Sequence, residues 1–413
     1  MTTASGRLAT GTRLRAAGLL LAVVALPWSG GGVSAGFGLA FVGHLLCGWR
    51  PRPVLPRMVV AGCVALAALF LASSLWSQDV ARGLKETKGL WPLLGMVPCA
   101  AQVRRSARPR LYLWAWLASA AAAALWLLAW KALDPELVSR DLPVNRWRLN
   151  LALAHALGSG ALLSLHADRA PARAVACVGA LVAGAALALL GERAPLFLAT
   201  GVLGLAALVL LLDRRQPTGR RGLALAALAI SAVIALANPA TRALLQRAPS
   251  ETIAREDHRM TLWTAAWKTW EQAPLLGTGI GDASADIEAF VHGPLGHPDM
   301  PAVHAHSNLL QTMAGAGVLG AAAYLFFVAA LLAPWLTRAG RCSPGAFPAL
   351  WAWSFLVVGG LIECTVLQSY FLTPFALLYA IGTGMRETAA PRGATLAADA
   401  RRVARPPRME ERG

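Results

Sequence analysis

Apolar stretches about as long as a membrane is thick recur from one end of this sequence to the other. A spanning helix needs about 20 mostly apolar residues. The composition agrees, because 56% of the 413 residues are hydrophobic and 14% are charged, against about 25% charged in soluble domains. We therefore expect an all-α, polytopic membrane protein, since a helix satisfies its own backbone hydrogen bonds within lipid.

The apolar stretches predict about 12 transmembrane helices. Their centres lie at residues 15–30, 33–48, 58–75, 89–103, 111–132, 149–165, 174–190, 196–212, 222–238, 309–335, 347–365 and 369–385. Four regions follow. Residues 1–238 hold the first nine helices, 239–308 form one large loop, and 309–385 hold the last three helices. Residues 386–413 are rich in Ala, Arg and Pro, which predicts a disordered cytoplasmic tail.

The basic residues favour one side of these helices. With the N-terminus in the cytoplasm, the cytoplasmic segments hold 25 of the 38 Lys and Arg and 6 of the 21 acids, so their charge is 25 − 6 = +19. The far side has 13 − 15 = −2. Positive charge collects in cytoplasmic loops, so topology explains the net charge of +17 without a nucleic-acid partner. Both termini are predicted to be cytoplasmic.

The large far-side loop contains an aromatic helix and a glycine-rich turn. "RMTLWTAAWKTWEQAP" places Trp263, Trp267 and Trp270 at helical spacing, and Pro274 ends the helix. Trp prefers the membrane interface, which favours a helix lying along the bilayer surface. The "GTGIG" that follows lacks the strand and the full pattern of a dinucleotide site, so we interpret it as a turn.

Two histidines, His304 and His306, end the large loop. An imidazole has an unperturbed pKa close to neutrality and can accept a proton from a reacting hydroxyl. Alternatively, both histidines are solvated and Ser307 or Asn308 caps the next helix. A zinc site is a further alternative, although the spacing matches no strong metal motif. Its ligands would come from His292, His297, Asp299, His304 and His306.

Several cations lie outside the cytoplasm. Arg193, in "LLGERAPLFLATG", stands at the membrane edge, where a cation is costly unless it is paired or used. It pairs with Glu192 or binds a phosphate, which its fork of donors fits bidentately. Arg259 precedes the aromatic helix by one turn. The remaining candidates for a basic lining are Arg82, Lys85, Lys88, Arg140, Arg146 and Arg148.

The order of these motifs resembles that of the O-antigen ligase and polymerase superfamily of membrane glycosyltransferases. The resemblance covers roughly residues 175–330: "GERAPLFLATG", then "RMTLWTAAWKTWEQAPLLGTGIG", then "HAHSNLLQTMAGAGVLG". The family usually has Ser where Glu192 stands, and His-Asn where this chain has His306, Ser307 and Asn308. Alignment on the Leu-Gln pair that follows places His306 at the family histidine. Length and helix number are most similar to the O-antigen ligases.

The resemblance implies a reaction and roles for the residues. A ligase transfers a glycan from undecaprenyl diphosphate to a sugar hydroxyl of the lipid A core at the periplasmic face of the bacterial inner membrane. By this resemblance His306 is the general base, and Arg193 and Arg259 stabilise the diphosphate. Lys85, Lys88, Arg146 and His304 are expected to bind substrate. The resemblance implies inversion at the anomeric carbon, with no metal, cofactor or obligate protein partner.

Three other functions are compatible with the sequence. An O-antigen polymerase or a protein O-oligosaccharyltransferase would share the site and differ in acceptor. A transporter is the alternative from another class, but transporters keep ionisable residues near the membrane centre. In this chain the candidates cluster at one face, and His155 and Glu363 are the nearest exceptions.

Overall fold

The computed structural model describes residues 2–48, 55–134, 143–167, 169–190, 195–196, 198–204, 229, 249–300, 304–341, 343–363 and 365–388. Helices and short turns account for the secondary structure of these residues, and none of them lies in a strand. The all-α prediction is confirmed for this part of the chain. Repeated apolar helices make the protein a multi-pass membrane protein.

The helices are numbered here in chain order. In the first half they are α1 (Thr2–Ala25), α2 (Gly30–Leu46), α3 (Arg57–Trp76), α4 (Val80–Thr87), α5 (Pro92–Arg105), α6 (Leu111–Leu133), α7 (Arg146–His166) and α8 (Ala170–Leu189), with a 3-10 turn at Lys88–Leu90. In the second half they are α9 (Pro249–Gln272), α10 (Ala283–His292), α11 (Asn308–Leu336), α12 (Arg338–Arg341), α13 (Ala346–Ile362) and α14 (Ser369–Thr388).

Five of these helices are long and apolar enough to cross a membrane. They are α3, α6, α8, α11 and the Gly6–Ala25 part of α1, while α2 and α13 are shorter apolar helices. Helices α5, α7 and α14 also coincide with predicted spans. The predicted spans at 196–212 and 222–238 lie mostly outside the described residues. The number of about 12 therefore stays a prediction.

Small residues bring α1 and α2 into close contact. A Cβ atom on Gly18 of α1 would lie 2.4 Å from the backbone nitrogen of Ala40 in α2, and one on Gly36 would lie 2.5 Å from that of Ala22. Lipid supplies no hydrophobic force between helices, so close backbone approach and van der Waals packing hold such pairs together. This packing confirms the predicted division of the first apolar region into two helices.

Helix α9 belongs to a second apolar cluster beside the main helical core. It begins ten residues before the predicted Arg259 and ends at Gln272, just before Pro274 as predicted. Buried Leu262 and Ala266 of α9 pack with Ile287 of α10 and with Ala305. Burial of these side chains ties the histidine segment to the helices of the large loop.

Helix α11 is broken in its third turn. Ala316 (φ −134°, ψ 15°) and Gly317 (φ 63°, ψ −158°) leave the helical conformation. Glycine has no Cβ, so it adopts a positive φ without strain. At Gly317 a Cβ would also lie 2.2 Å from the carbonyl oxygen of Leu275. The break exposes backbone groups that need partners outside the helix.

The glycine-rich turn supplies those partners. The backbone nitrogen of Thr278 donates to the carbonyl of Ala314 at 2.9 Å, and that of Gly279 donates to the carbonyl of Gly315 at 3.0 Å. The Ser73 hydroxyl of α3 also donates to Gly315, at 2.7 Å. "GTGIG" is a turn after α9, as predicted, and in addition it joins the large loop to the broken helix.

Candidate active site

The histidine segment has a constrained backbone. Ser307 is the N-cap of α11, its hydroxyl lying 3.5 Å from the backbone nitrogen of Leu310, so one predicted cap is confirmed. The buried backbone nitrogen of Ala305 donates to Oε1 of Gln311 at 2.8 Å. Between them, His306 has φ 48°, and it is the one non-glycine residue with positive φ in the described part of the chain. Such strain persists where the surrounding contacts fix the backbone.

Asn308, the first residue of α11, fastens the connection between α13 and α14 to this segment. Its Oδ1 accepts hydrogen bonds from the backbone nitrogens of Thr365 at 2.7 Å and Val366 at 2.9 Å. Its Nδ2 donates to the hydroxyls of Thr365 at 2.7 Å and Tyr324 at 3.1 Å. Asn308 is fully buried, and its amide makes two donor and two acceptor contacts.

This fastening brings Glu363 to the two histidines. Nε2 of His304 lies 2.7 Å from Oε1 of Glu363, within a hydrogen bond. Nδ1 of His306 lies 3.0 Å from the same oxygen, an ion-pair distance without hydrogen-bond alignment. The two imidazole rings are 4.2 Å apart between centroids and 32° from parallel. Oε1 of Glu363 therefore contacts both imidazole rings.

The contacts with Glu363 distinguish the nitrogens of the two rings. A carboxylate oxygen favours a proton on the nitrogen that faces it, and a neutral imidazole carries one N–H. The contacts therefore favour a proton on Nδ1 of His306, which leaves a lone pair on its Nε2, and a proton on Nε2 of His304. The His306 side chain is 30% exposed and that of His304 is 16% exposed. His306 is thus the more accessible ring.

Glu363 is ionised in this environment. Burial alone raises the pKa of its carboxyl group, but the hydrogen bond with His304 and the close polar and charge interactions with both histidines outweigh burial and lower the pKa to about 2. Glu363 follows the last residue of α13, outside the apolar helix, and its side chain is 10% exposed. A carboxylate with this pKa orients the imidazoles throughout the neutral range.

Gln368 and the first side chains of α14 extend the cluster toward α7. Nε2 of Gln368 lies 3.5 Å from Nε2 of His304, and the Tyr370 hydroxyl donates to Oε1 of Gln368. The Tyr370 ring centroid is 5.2 Å from that of Phe371, which is 6.4 Å from that of Trp147. The guanidinium of Arg146 lies 5.6 Å from the Trp147 ring. Partly exposed rings therefore connect the predicted substrate-binding Arg146 with the histidine cluster.

Helix α4 carries Lys85 near the same cluster. The carboxyl group of Glu86 has a pKa raised by burial, with opposing effects from Arg82, Lys85 and His304. The interaction with His304 places α4 close to the histidines. Lys88 lies in the 3-10 turn whose Gly89 approaches the carbonyl of Leu367, in the connection that Asn308 holds. The lysines Lys85 and Lys88 are exposed.

Of the two arginines predicted to bind the diphosphate, the structure describes Arg259 but not Arg193. Arg259 is exposed on α9, one turn before Leu262, which packs in the second apolar cluster with Ala305. It therefore stands on a helix that contacts the histidine segment. Arg193 and its neighbour Glu192 lie outside the described residues, so their role stays a prediction.

A family model provides independent support for the sequence resemblance. The model described as O-antigen ligase matches residues 178–325, which include α9, α10, the histidine segment and the broken part of α11. Residues 178–325 are therefore similar to the O-antigen ligase family. No curated protein matches the chain. Members of the O-antigen ligase family are membrane glycosyltransferase-like enzymes, both ligases and polymerases.

The structure does not bring together the five residues named above as possible zinc ligands. His292 instead places Nε2 2.8 Å from the carbonyl oxygen of Met300. The described residues bring together a different set, His304, His306 and Glu363, whose nitrogen and oxygen atoms lie within 4.8 Å of one another. Their donors suit a transition metal such as zinc.

Glu363, Gln368 and Tyr370 are the site residues that sequence reasoning missed. They follow the histidines by about 60 residues and lie beyond the segment that the O-antigen ligase model matches. Glu363 did give a signal, because a single carboxylate between two apolar runs is costly unless it is paired or used. The other predicted exception, His155, is buried within α7, with Nδ1 2.8 Å from the carbonyl of Leu151.

Proposed function

We propose that this protein is an O-antigen ligase that transfers a glycan from undecaprenyl diphosphate to a sugar hydroxyl of the lipid A core at the periplasmic face. The observation that carries this proposal is the contact of Glu363 with His306, a residue of the segment that matches the O-antigen ligase family model. Glu363 favours the proton on Nδ1, so the lone pair on Nε2 is left to act as a base.

The proposed transfer is a direct displacement. The acceptor hydroxyl gives its proton to Nε2 of His306 while its oxygen attacks the anomeric carbon of the donor sugar. The bond between that carbon and the diphosphate oxygen breaks, undecaprenyl diphosphate leaves, and the anomeric configuration inverts. Negative charge grows on the diphosphate, where Arg259 and Arg193 stabilise it.

The remaining predicted residues have supporting roles in this proposal. Lys85 and Lys88, on and after α4, attract the phosphates of donor or acceptor. Arg146 and the ring of Trp147 bind substrate at the other side of the cluster. His304 and Glu363 fix the orientation of His306, as an acid orients a catalytic histidine in other enzymes. The reaction requires no cofactor.

The test is reconstitution of the purified full-length chain with a lipid-linked glycan and three acceptors. These are rough lipopolysaccharide, a second lipid-linked glycan and a Ser-containing peptide. We expect transfer to lipopolysaccharide in the presence of EDTA, and about 100-fold or greater loss with His306→Ala because general-base catalysis contributes about that much. Transfer only to the second glycan or to the peptide would instead identify a polymerase or a protein glycosyltransferase.

His297→Ala is the matched control. This histidine is exposed in the same loop and its side chain is not part of the cluster. Its replacement should leave transfer within about twofold of the native rate, as expected for a surface change away from the site. Undiminished transfer by His306→Ala would refute the assignment of the base.

A further inference from the structure

We propose that His304, His306 and Glu363 also form a site for Zn²⁺, and that the bound metal inhibits transfer. The metal site itself rests on geometry alone, whereas the inhibition rests on the proposed function. Nothing in the proposed transfer requires a metal, so the site would be regulatory.

The first argument is the donor set. Two imidazole nitrogens and one carboxylate oxygen are a ligand combination that binds zinc in proteins. Nε2 of His304 and Nδ1 of His306 lie 2.7 and 3.0 Å from Oε1 of Glu363. Ligands of a tetrahedral zinc stand roughly 3.3 Å apart, given metal–ligand distances of about 2.0 Å. The two nitrogen–oxygen distances therefore differ from that spacing by a few tenths of an ångström, and all three donor atoms lie within 4.8 Å of one another.

The second argument is charge and access. Glu363 carries a negative charge in a side chain that is 10% exposed, and the adjacent imidazoles are neutral ligands when they bind a metal. His306 is 30% exposed, which leaves one side of the cluster open to solvent. Three protein ligands with an open fourth position is the arrangement that lets zinc enter and bind water.

The third argument is support from neighbouring residues. Asn308 fixes the backbone that follows Glu363 through Thr365 and Val366. Gln368 lies beside His304 and is itself bonded to Tyr370. Metal ligands held by such outer contacts lose less conformational freedom on binding, which strengthens affinity.

Inhibition follows from the tautomers. A neutral imidazole that gives its Nδ1 lone pair to a metal carries its proton on Nε2. Metal at Nδ1 of His306 thus moves the proton from Nδ1 to Nε2, without net release, and removes the lone pair that would accept the acceptor's proton. His304 exchanges its proton in the opposite sense, from Nε2 to Nδ1. Bound zinc would therefore convert Nε2 of His306 from a proton acceptor into a hydrogen-bond donor.

The binding test uses Co²⁺ as a visible probe for the zinc site. The full-length protein in detergent is titrated with Co²⁺, and the d–d absorption bands of tetrahedral cobalt are recorded before displacement with Zn²⁺. We expect one equivalent to bind. Glu363→Gln and His304→Ala should weaken binding at least about tenfold, since each removes a ligand or its charge. His297→Ala should bind as the native chain does.

The inhibition test adds Zn²⁺ to the reconstituted transfer reaction. We expect loss of transfer at the zinc concentration that saturates the cobalt-binding site, and full recovery with EDTA. Absence of stoichiometric binding, or native affinity in Glu363→Gln, would overturn the metal site. Binding without inhibition, or activity lost with EDTA alone, would overturn the regulatory role. A protein that binds zinc but transfers no glycan would refute the proposed function while retaining the metal site.

Discussion

At the scale of single residues, Asn308 decides whether the histidines and Glu363 meet. Its side chain is fully buried and joins the start of α11 to the chain between α13 and α14. The sequence places Asn308 two residues after His306, where it looks like a helix cap. In the structure Ser307 is the cap, and Asn308 instead holds a segment more than 50 residues away.

Asn308→Ala should reduce both stability and transfer. It leaves the buried backbone nitrogens of Thr365 and Val366 without their acceptor, which costs about 2 kcal/mol or more. Glu363 then loses its fixed position, so kcat should fall more than KM changes. The measurements are the thermal midpoint in detergent and steady-state kinetics. Thr383→Val is a suitable control, because that buried hydroxyl donates a hydrogen bond to the carbonyl of Tyr379 in its own helix. An equal loss of kcat in Thr383→Val would contradict the positioning role of Asn308.

Glu363 makes a further residue-scale prediction about pH. Its folded pKa of about 2 lies below the ordinary value of 4.5, so the carboxylate stabilises the fold fully above pH 4.5. This contribution is lost as pH falls from 4.5 towards 2. Glu363→Gln should therefore lower the thermal midpoint near neutral pH, and the difference from the native chain should narrow in acid. A difference independent of pH would show that the ionised form is not what stabilises the fold.

At the scale of elements, the break in α11 joins the large loop to the membrane helices. The helix stops its own hydrogen-bond ladder at Ala316 and Gly317, and the glycine-rich turn and Ser73 bond to the exposed carbonyls. The pairing holds the turn between α9 and α10 against α11, and the histidine segment packs on α9 and α10 through Ala305. The role of "GTGIG" is structural, in agreement with its interpretation as a turn.

Gly317→Ala should loosen this junction. A side chain at φ 63° and ψ −158°, a region essentially restricted to glycine, costs about 1–3 kcal/mol, and its Cβ would meet the carbonyl of Leu275 at 2.2 Å. We expect a lower thermal midpoint and faster proteolysis of the large loop. Gly38→Ala is the matched control, since a Cβ there has nothing within 4 Å. Equal thermal midpoints and equal rates of proteolysis in the two variants would mean that the break in α11 does not hold the large loop in place.

At the scale of the whole molecule, the charge asymmetry of +19 against −2, counted over the predicted spans, predicts the orientation of the helices. It predicts that the histidine cluster and α9 face the periplasm and that both termini face the cytoplasm. Fusions to alkaline phosphatase, which is active only after export, test this. A fusion after Asp299 should be active and one after Arg341 inactive. The reverse pattern would invert the orientation and exclude the proposed donor and acceptor.

The sequence by itself determined the class of the protein and much of its helix pattern. Hydropathy and charge are local sums over residues, so they predicted an all-α membrane protein. Local residue types predicted the end of α9 before Pro274 and offered Ser307 or Asn308 as the cap of α11. The order of short motifs indicated the family, which the match at residues 178–325 confirms. Arg193 and the spans around it stay predictions.

Only the tertiary structure decided what surrounds the histidines. No local pattern specifies that Glu363 returns to His304 and His306, because that contact depends on the four bonds of Asn308 and on how α13 and α14 pack. The sequence ranked His306 above His304 by alignment alone. The fold supplies a physical reason for that order, since a shared carboxylate assigns the protons and burial leaves the His306 ring more accessible.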